Sequence, residues 1–452
     1  MLNMSFRLCA LITSLIVTVV SCSSKKSASK DEPSTKTPVK QTVSKDLPKR
    51  QGLTSSLENM KKMAAGINTM GDKILQALLT KTMSGKSPEA LARAGKNPII
   101  SPYSIASAFS LAWLGAKGTT EKEFVSLFSS TLPFPSQHEA LGSLQQDLEK
   151  VTNLKLSVAN SLWLESSMPV KRTYLENTSR WYGAAPFMVD FIKGYKEVTI
   201  KINKWVAEKT NNRIKNLIPK GALNNTNRAV LVNAIWFLAK WQHPFKKTST
   251  FMLPFYPAPG FEVVVPTMIQ KAQFPMAKGS DGEMVISLPY KGDRFAFYAY
   301  LPKNDGPLAM PAGETLEKLV SAVKPGEVLL FMPKFTLETN DALGTIIKNM
   351  GMPITFAPGA DFGGIATTPG GLYISEVFHN TYVRVDEEGT EAAAATALVM
   401  KAGGKPAPVP QVRLNRPFYF FIRDKKTGLN LFAGWVINPY PKAPLGKSVA
   451  KK

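Results

Sequence analysis

The stretch "LYISEVFHNTYVRVDEEGTEAAAATALVMKAGG", Leu372–Gly404, changes character halfway along. Its first part is β-branched and aromatic and alternates as a strand does. Its second part opens with Asp386, Glu387, Glu388 and Gly389 and then runs through small residues to a glycine pair followed by Lys405-Pro406-Ala407-Pro408. Alanine is the best helix former, and acids suit a helix N-terminus. Yet a strand here runs straight into a segment that buries almost nothing, and a surface helix is only one conformation open to it.

Outward from this stretch the chain reads as a large exported domain. It has 452 residues, 44% of them hydrophobic, enough for one large domain or two ordinary ones. The net charge of +23 favours anionic partners such as glycans, anionic lipid or acidic proteins. No zinc-finger spacing, RNP-type aromatic signature or heptad-linked basic region supports nucleic acid as a partner. Arg7 precedes the apolar run "LCALITSLIVTVV", too short to span a membrane comfortably. The run ends in Val19-Val20-Ser21-Cys22, similar to a bacterial lipobox. Residues 1–21 are therefore expected to be a lipoprotein signal peptide, with Cys22 lipidated, and the chain exported and anchored to a bacterial membrane or cell surface, facing periplasm or exterior. Cys9 is then lost and Cys22 blocked, which leaves neither free thiol nor disulfide. Residues 22–52 read as a flexible tether: Ser23–Arg50 is rich in Ser, Lys, Thr and Pro and carries eight basic and three acidic residues. Residues 442–452 form a basic tail.

Residues 53–441 read as the globular part. Helical spacing predicts helices in "LENMKKMAAGINTMGDKILQALL", in the buried "SPYSIASAFSLAWLGA" that Ser101-Pro102 would start, in "TEKEFVSLF", "SQHEALGSLQQDLEKV", "KRTYLENTSRWYG" and "TIKINKWVAEKTNNRIKNLI". "KTMSGKSPEALARAGKNP" reads as a polar loop. "LKLSVANSLWLE" alternates as a strand, and "RAVLVNAIWFLAKW", apolar on both sides, reads as a central one. After Thr248 strands dominate, interrupted by the helix "DALGTIIKNMG", and the chain closes with an antiparallel pair about the "KKTG" turn. Helices first and strands later give an α+β fold.

Catalysis finds little support. There is no G-x-S-x-G, no H-E-x-x-H and no phosphate-binding glycine loop. The histidines number three. His138 beside Glu139 reads as a surface pair, His243 beside Pro244 as a solvated turn residue, and His379 in "SEVFHNTY" as a hydrogen-bonded core group. No carboxylate spacing marks a general acid/base pair, and neither metal ligands nor a cofactor site are expected; the chain is read as a non-enzyme.

"EEGTEAAAATA" resembles the hinge of the reactive-centre loop of serpins, especially their inhibitory members. The stretches "NPIISPYSIASAFSLAWLGAKGTT", "INKWVAEKTNNRIKNLIP", "AVLVNAIWFLAKWQHPF", "VPTMIQ" and "NRPFYFFIRDKKTGLNLFAGWVINP" are similar to other parts of that family, in the right order. The resemblance implies a three-sheet domain with about nine helices and an exposed reactive loop over about residues 387–410. It implies a suicide-substrate inhibitor of serine, and also cysteine, proteases: the cut loop enters the main sheet as a new strand and traps the covalent acyl-enzyme. The hinge so implied is Glu387, Glu388, Gly389, Thr390, Glu391, Ala392, Ala393, Ala394, Ala395 and Thr396. Thr390, Ala392, Ala394 and Thr396 would point inward, and all are small enough to pass between strands. Ser101, Ser104, Asn233 and His379 resemble the polar cluster beneath the sheet opening. Trp241 and Lys334 resemble residues at its top, where Lys334 is expected to pair with Glu387.

The scissile bond stays open among Met400, Lys401, Ala402, Gly403 and Gly404. Gly403-Gly404 follows from the family register, Lys401-Ala402 would suit a trypsin-like protease, and Met400-Lys401 or Ala402-Gly403 an elastase-like one. The other reading is a non-inhibitory member acting as a basic glycan- or lipid-binding module. The expected partners are a target protease in covalent complex, the membrane through the N-terminal lipid, and anionic glycans, with the chain itself a monomer and no nucleic acid bound.

Overall fold

The computed structural model describes residues 47–441 and 444–447, apart from Leu53, Gly95, Asn153, 304–307, 369–370 and 391–408. Helices dominate its first half. Ser56 caps α1 (Leu57–Met83), its hydroxyl accepting from Asn59 N at 3.1 Å, and Met63, Ile67, Met70 and Ile74 form the buried stripe of that helix. The stretch expected to be a polar loop instead holds the end of α1 and a second short helix, α2 (Pro88–Ala94). The Ser87 hydroxyl accepts from Ala90 N, Pro88 suits the first helical turn, and Glu89 and Arg93 pair one turn apart at 2.8 Å. After the two-residue strand β1 (Ile99–Ile100), Ser101 caps α3 (Pro102–Trp113), which is buried on nearly every face.

Next come α4 (Gly118–Leu127), α5 (Ser136–Glu149), β2 (Lys155–Glu165), α6 (Arg172–Tyr182), β3 (Phe187–Val189) and α7 (Phe191–Lys209). The periodic pattern after Thr199 predicts helix to Ile218, but α7 stops at Lys209. Asn211 and Asn212 turn the chain with φ of 51° and 59°, a region asparagine tolerates, and the Asn203 side chain binds the Ile218 backbone instead.

Strands make up most of the remainder: β4 (Ala229–Lys240), β5 (Thr250–Ala258), β6 (Phe261–Lys278), β7 (Met284–Pro289) and β8 (Phe295–Leu301). After α8 (Gly313–Ala322) come β9 (Lys324–Pro333) and β10 (Phe335–Ala342), then α9 (Gly344–Asn349), β11 (Val377–Asp386) and β12 (Gly389–Thr390). The last strands are β13 (Gln411–Arg413), β14 (Phe418–Asp424), β15 (Asn430–Val436) and β16 (Leu445–Lys447). "GEVLLFMPKFTLET" is two strands that part at Lys334 and enter different sheets.

The sheets make an α+β fold. One has the order β10-β11-β12-β4-β2-β3. The second runs β1-β15-β14-β8-β7 and meets the third through the long β6, which pairs with β7 at its C-terminal end and with β5 and β9 along the rest; β13 pairs with β9. β4 is central and buried along its length, as its two-sided apolar pattern predicts. The expected hairpin at the C-terminal end is β14 against β15. Pro48 and Arg50 contact the folded body: the Pro48 carbonyl accepts from Ser179 Oγ at 2.6 Å, and Arg50 pairs with Glu149 at 2.5 Å.

Candidate functional site

The short strand β12 lies between β4 and β11, antiparallel to both. Gly389 stands opposite Lys240 and Asp386, and Thr390 opposite Ala239 and Val385. Farther along, β4 and β11 pair directly with each other, in parallel, from Val377–Leu231 to Tyr382–Trp236. A wedge of two residues thus occupies the top of a seam that is closed below. Thr390 is fully buried, and its Oγ1 lies 2.5 Å from the Tyr290 hydroxyl, itself buried beneath the sheet and stacked on Trp241 at 4.7 Å. Gly389 is the only residue type that fits. A Cβ there would lie 2.0 Å from Ala239 O and 2.8 Å from Lys240 Cα, both backbone atoms that cannot rotate away.

The acids before this wedge are buried and each has a cationic partner. Asp386 meets Arg384 at 3.2 Å, Glu387 meets Lys334 at 2.8 Å and Glu388 meets Lys247 at 2.9 Å. Burial alone would raise the Glu387 carboxyl, but the hydrogen bonds from Lys334 and the Thr250 hydroxyl (2.8 Å) outweigh it and hold the group below the usual carboxylate range. Burial wins at Asp386, whose pKa is raised. Trp241 clamps the same turn twice, donating from Nε1 to Asp386 O and from its backbone N to Glu388 O, each at 2.9 Å. Phe245 N donates to Glu387 O at 2.7 Å. Lys334, Trp241 and Glu387, separated widely in sequence, therefore meet at one point, with Lys334 about one-third exposed and Glu387 buried.

Ser101, Ser104, Asn233 and His379 also come together, at the closed part of the seam where His379 and Asn233 stand opposite each other. Ser101 N–H donates to His379 Nε2 at 3.1 Å, which fixes that nitrogen as the acceptor. The proton is therefore on Nδ1, which donates to Asn233 Oδ1. Asn233 Nδ2 in turn donates to Ser104 Oγ (2.5 Å) and Asn160 Oδ1 (2.6 Å). The Thr381 hydroxyl adds a donor to His379 Nε2 at 2.8 Å, and Ser101 Oγ donates to Leu431 O at 2.5 Å. Burial lowers the His379 pKa to about 3, so the ring is neutral and the network needs no counterion. Parting β4 from β11 breaks the link from His379 to Asn233, while Thr381 on β11 stays with His379 and Asn160 on β2 stays with Asn233.

Glu391, Ala392, Ala393, Ala394, Ala395 and Thr396, the scissile candidates Met400, Lys401, Ala402, Gly403 and Gly404, and Cys22 lie outside the described residues. Sequence reasoning missed Tyr290, Thr250 and Lys247 at the hinge and Asn160 and Thr381 in the polar cluster. Each is an ordinary strand or loop residue whose role depends on what faces it. His138 needs correction: it is buried, not a surface residue. Its Nδ1 lies 2.6 Å from the Tyr182 hydroxyl, its ring stacks on Trp181 at 5.4 Å, and burial lowers its pKa to about 3. The signal was available, because His138 shares the inward helical stripe of Leu141, Leu144 and Leu148. Among the described residues no cluster of His, Cys, Asp or Glu could hold a metal ion.

The family model described as Serpin (serine protease inhibitor) matches residues 81–439. The chain belongs to the serpin family, whose members generally inhibit proteases rather than catalyse reactions. It is 33% identical over 356 residues to an uncharacterized serpin-like protein of Methanosarcina mazei, covering 76% of this chain and 82% of the relative. It is 32% identical over 355 residues to antithrombin-III of Mus musculus, covering 76% of each. Among solved structures it resembles the native state of tengpin, a thermophilic serpin, with a TM-score of 0.73 and 25% identity over 86% of this chain and 97% of the other.

Proposed function

We propose that the chain is an inhibitory serpin that traps serine or cysteine proteases as covalent complexes. The observation that carries this reading is the two-residue wedge: the loop's first residues already hold strand positions between β4 and β11, and Ala392, Ala394 and Thr396, the next positions expected to point inward, are small. Reactive-loop insertion into the main sheet is an established case of strand addition in this family. The register makes it specific for this chain. Each step along an inserting loop moves one residue back along both neighbours, so from Thr390, opposite Ala239 and Val385, six steps bring Thr396 opposite Asn233 and His379. Ten steps bring Met400 opposite Ala229, where β4 begins. Every candidate scissile bond thus lies at or beyond the residue that would fill β4 to its end.

Insertion replaces one parallel pairing with two antiparallel ones, which are slightly more stable per residue, and adds a full strand of ladder hydrogen bonds. An uncut loop is held at both ends. Attack by a protease nucleophile forms the acyl-enzyme and frees the hinge end. Insertion of the residues from Glu391 to Gly403 would then carry the attached protease about 43 Å, at ~3.3 Å per residue. Displacement of catalytic groups by even ~1 Å can slow chemistry about a hundredfold, so deacylation loses the race.

Incubation with a panel of serine and cysteine proteases, followed by denaturing gels and mass spectrometry, tests this. A complex that survives SDS, together with a marked rise in melting temperature of the nicked chain, is the expected result. Cleavage without complex and without stabilisation would favour the non-inhibitory reading, a basic module for glycan or lipid. Export with lipid attached at Cys22 is part of the same proposal. It predicts labelling by fatty acid that Cys22→Ala abolishes, releasing the protein from the membrane fraction.

A further inference from the structure

Separate parts of the chain meet at the start of α6. Lys117, in the turn between α3 and α4, donates its backbone N–H to Asp361 O at 2.9 Å. Lys171, just before α6, donates its own to Ile365 O at 2.8 Å, and Gly364 N donates to Gly115 O at 3.0 Å. A Cβ on Gly364 would lie 2.6 Å from that oxygen, so the backbones touch there, and glycine is what lets them. The α3–α4 turn, the start of α6 and the segment 361–366 are thus fixed to one another through main-chain atoms.

Between them lies a cavity of about 450 Å³, within the size range of small-molecule sites. Leu114, Tyr174 and Phe134 are its apolar lining. The Tyr174 hydroxyl is occupied, donating to Leu111 O at 2.7 Å. Phe134 is 55% exposed, although its ring edge meets His138 at 5.7 Å and Trp181 at 5.8 Å. The polar lining is rich in donors. Lys117 and Lys171 are both exposed, and neither side chain forms an ion pair or hydrogen bond among the described residues. The Thr173 hydroxyl and the Asn177 amide, also lining the cavity, make no side-chain hydrogen bond among those residues either. Asp361 is the acid of the lining, and its Oδ1 already accepts from Gly363 N at 2.9 Å.

Two unpaired cations and a half-exposed ring in one hollow suit a ligand that is anionic at one end and apolar at the other. Two ammonium groups match a head of about two negative charges, and Thr173 and Asn177 add donors for its oxygens. We infer that this cavity binds an organic phosphate, with the phosphate held by Lys117 and Lys171 and the ring or acyl part laid on Phe134. A soluble phosphate monoester and a lipid headgroup share this chemistry, and the test separates them. The site goes beyond the inhibitory reading and stands whether or not a protease is trapped. Its occupant would bridge the α3–α4 turn and α6, and would stabilise the folded chain by mass action.

The test is calorimetric titration of the full chain with phenyl phosphate, inorganic phosphate, benzyl alcohol and dihexanoyl phosphatidic acid, a lipid headgroup soluble as a monomer. Phenyl phosphate should bind saturably with a Kd of about 1 mM or tighter, inorganic phosphate more weakly and benzyl alcohol not at all. The melting temperature should rise with phenyl phosphate concentration. Lys117→Gln with Lys171→Gln should weaken phenyl phosphate about tenfold or more. Phe134→Ala should weaken it about fivefold and leave inorganic phosphate unchanged. Lys220→Gln, which removes a charge outside the cavity lining, should change neither. Each variant is checked by its melting temperature without ligand, and Lys171→Gln alone, at one exposed side chain, keeps the test valid if another variant is unstable. Tighter binding of dihexanoyl phosphatidic acid than of phenyl phosphate, lost in the double lysine variant, supports the site with a lipid headgroup as its ligand. The reverse order, lost in the same variant, supports it with a soluble monoester. No saturable phenyl phosphate binding by the unaltered chain, or equal affinity in the folded double lysine variant and in Lys220→Gln, would overturn the site.

Discussion

Replacing Gly389 by alanine isolates the wedge from everything else in the protein. The added Cβ would lie 2.0 Å from Ala239 O and 2.8 Å from Lys240 Cα, so β12 must leave the seam. Thr390 then loses its bond to the Tyr290 hydroxyl, and a phenol buried beneath the sheet is left without a partner, which costs ~1–3 kcal/mol. The ladder bonds of β12 to β4 and β11 go too, at a net ~1 kcal/mol each, offset in part if β4 and β11 close over the gap. The balance is about 3 kcal/mol, or about 4 °C in melting temperature for a domain of this length. The assay is thermal unfolding of the intact, uncleaved chain, read by circular dichroism beside the unaltered protein. An intact G389A chain that melts within a degree of its parent would refute the reasoning, since the wedge would then hold nothing.

Further outcomes follow from the same geometry. Thr396→Arg would place a cation between Asn233 and His379 in the inserted state; the loop should still be cut, while SDS-stable complex falls close to zero and the nicked form gains no melting temperature. Tyr290→Phe leaves the buried Thr390 hydroxyl unpaired and should cost about 1–2 kcal/mol in chemical denaturation. Lys334→Ala strands the Glu387 carboxylate, whose pKa is held down in the folded protein. Its cost should therefore be present at neutral pH and fade as pH falls through that depressed value. His138 and His379 both have folded pKa values lowered to about 3, against ~6.5 unfolded. Stability is full above pH 6.5 and drops by ~1.4 kcal/mol per pH unit for each histidine below it. Asp72 acts with the opposite sign: burial raises its pKa to about 6, so acidification relieves a penalty of about 1 kcal/mol. Denaturation at pH 7 and pH 5 should show a net loss of about 3 kcal/mol, and a flat profile would contradict the neutral buried rings.

The chain's own letters decided much of this. Apolar periodicity marked α1, α3 and α5, and the two-sided apolar run of β4 marked the centre of a sheet, because burial on one face or two leaves a period that composition cannot hide. Small residues after Gly389 marked a segment able to be helix, coil or strand. Local pattern failed where a side-chain contact overrode it. Ser87 and Pro88 start a helix inside a polar stretch, and Asn211 and Asn212 end one inside a periodic stretch. His138 sits among aromatics that belong to three other segments. The site divides the same way. The residue types that let a strand enter are a property of sequence, since size and charge travel with the side chain. The meeting of Lys334 with Glu387, the shared network of His379, Asn233 and Ser101, and the pairing of Tyr290 with Thr390 are not. They join residues tens to hundreds of positions apart, and only the closing of β4 against β11, with β12 driven between them, determines which groups face each other.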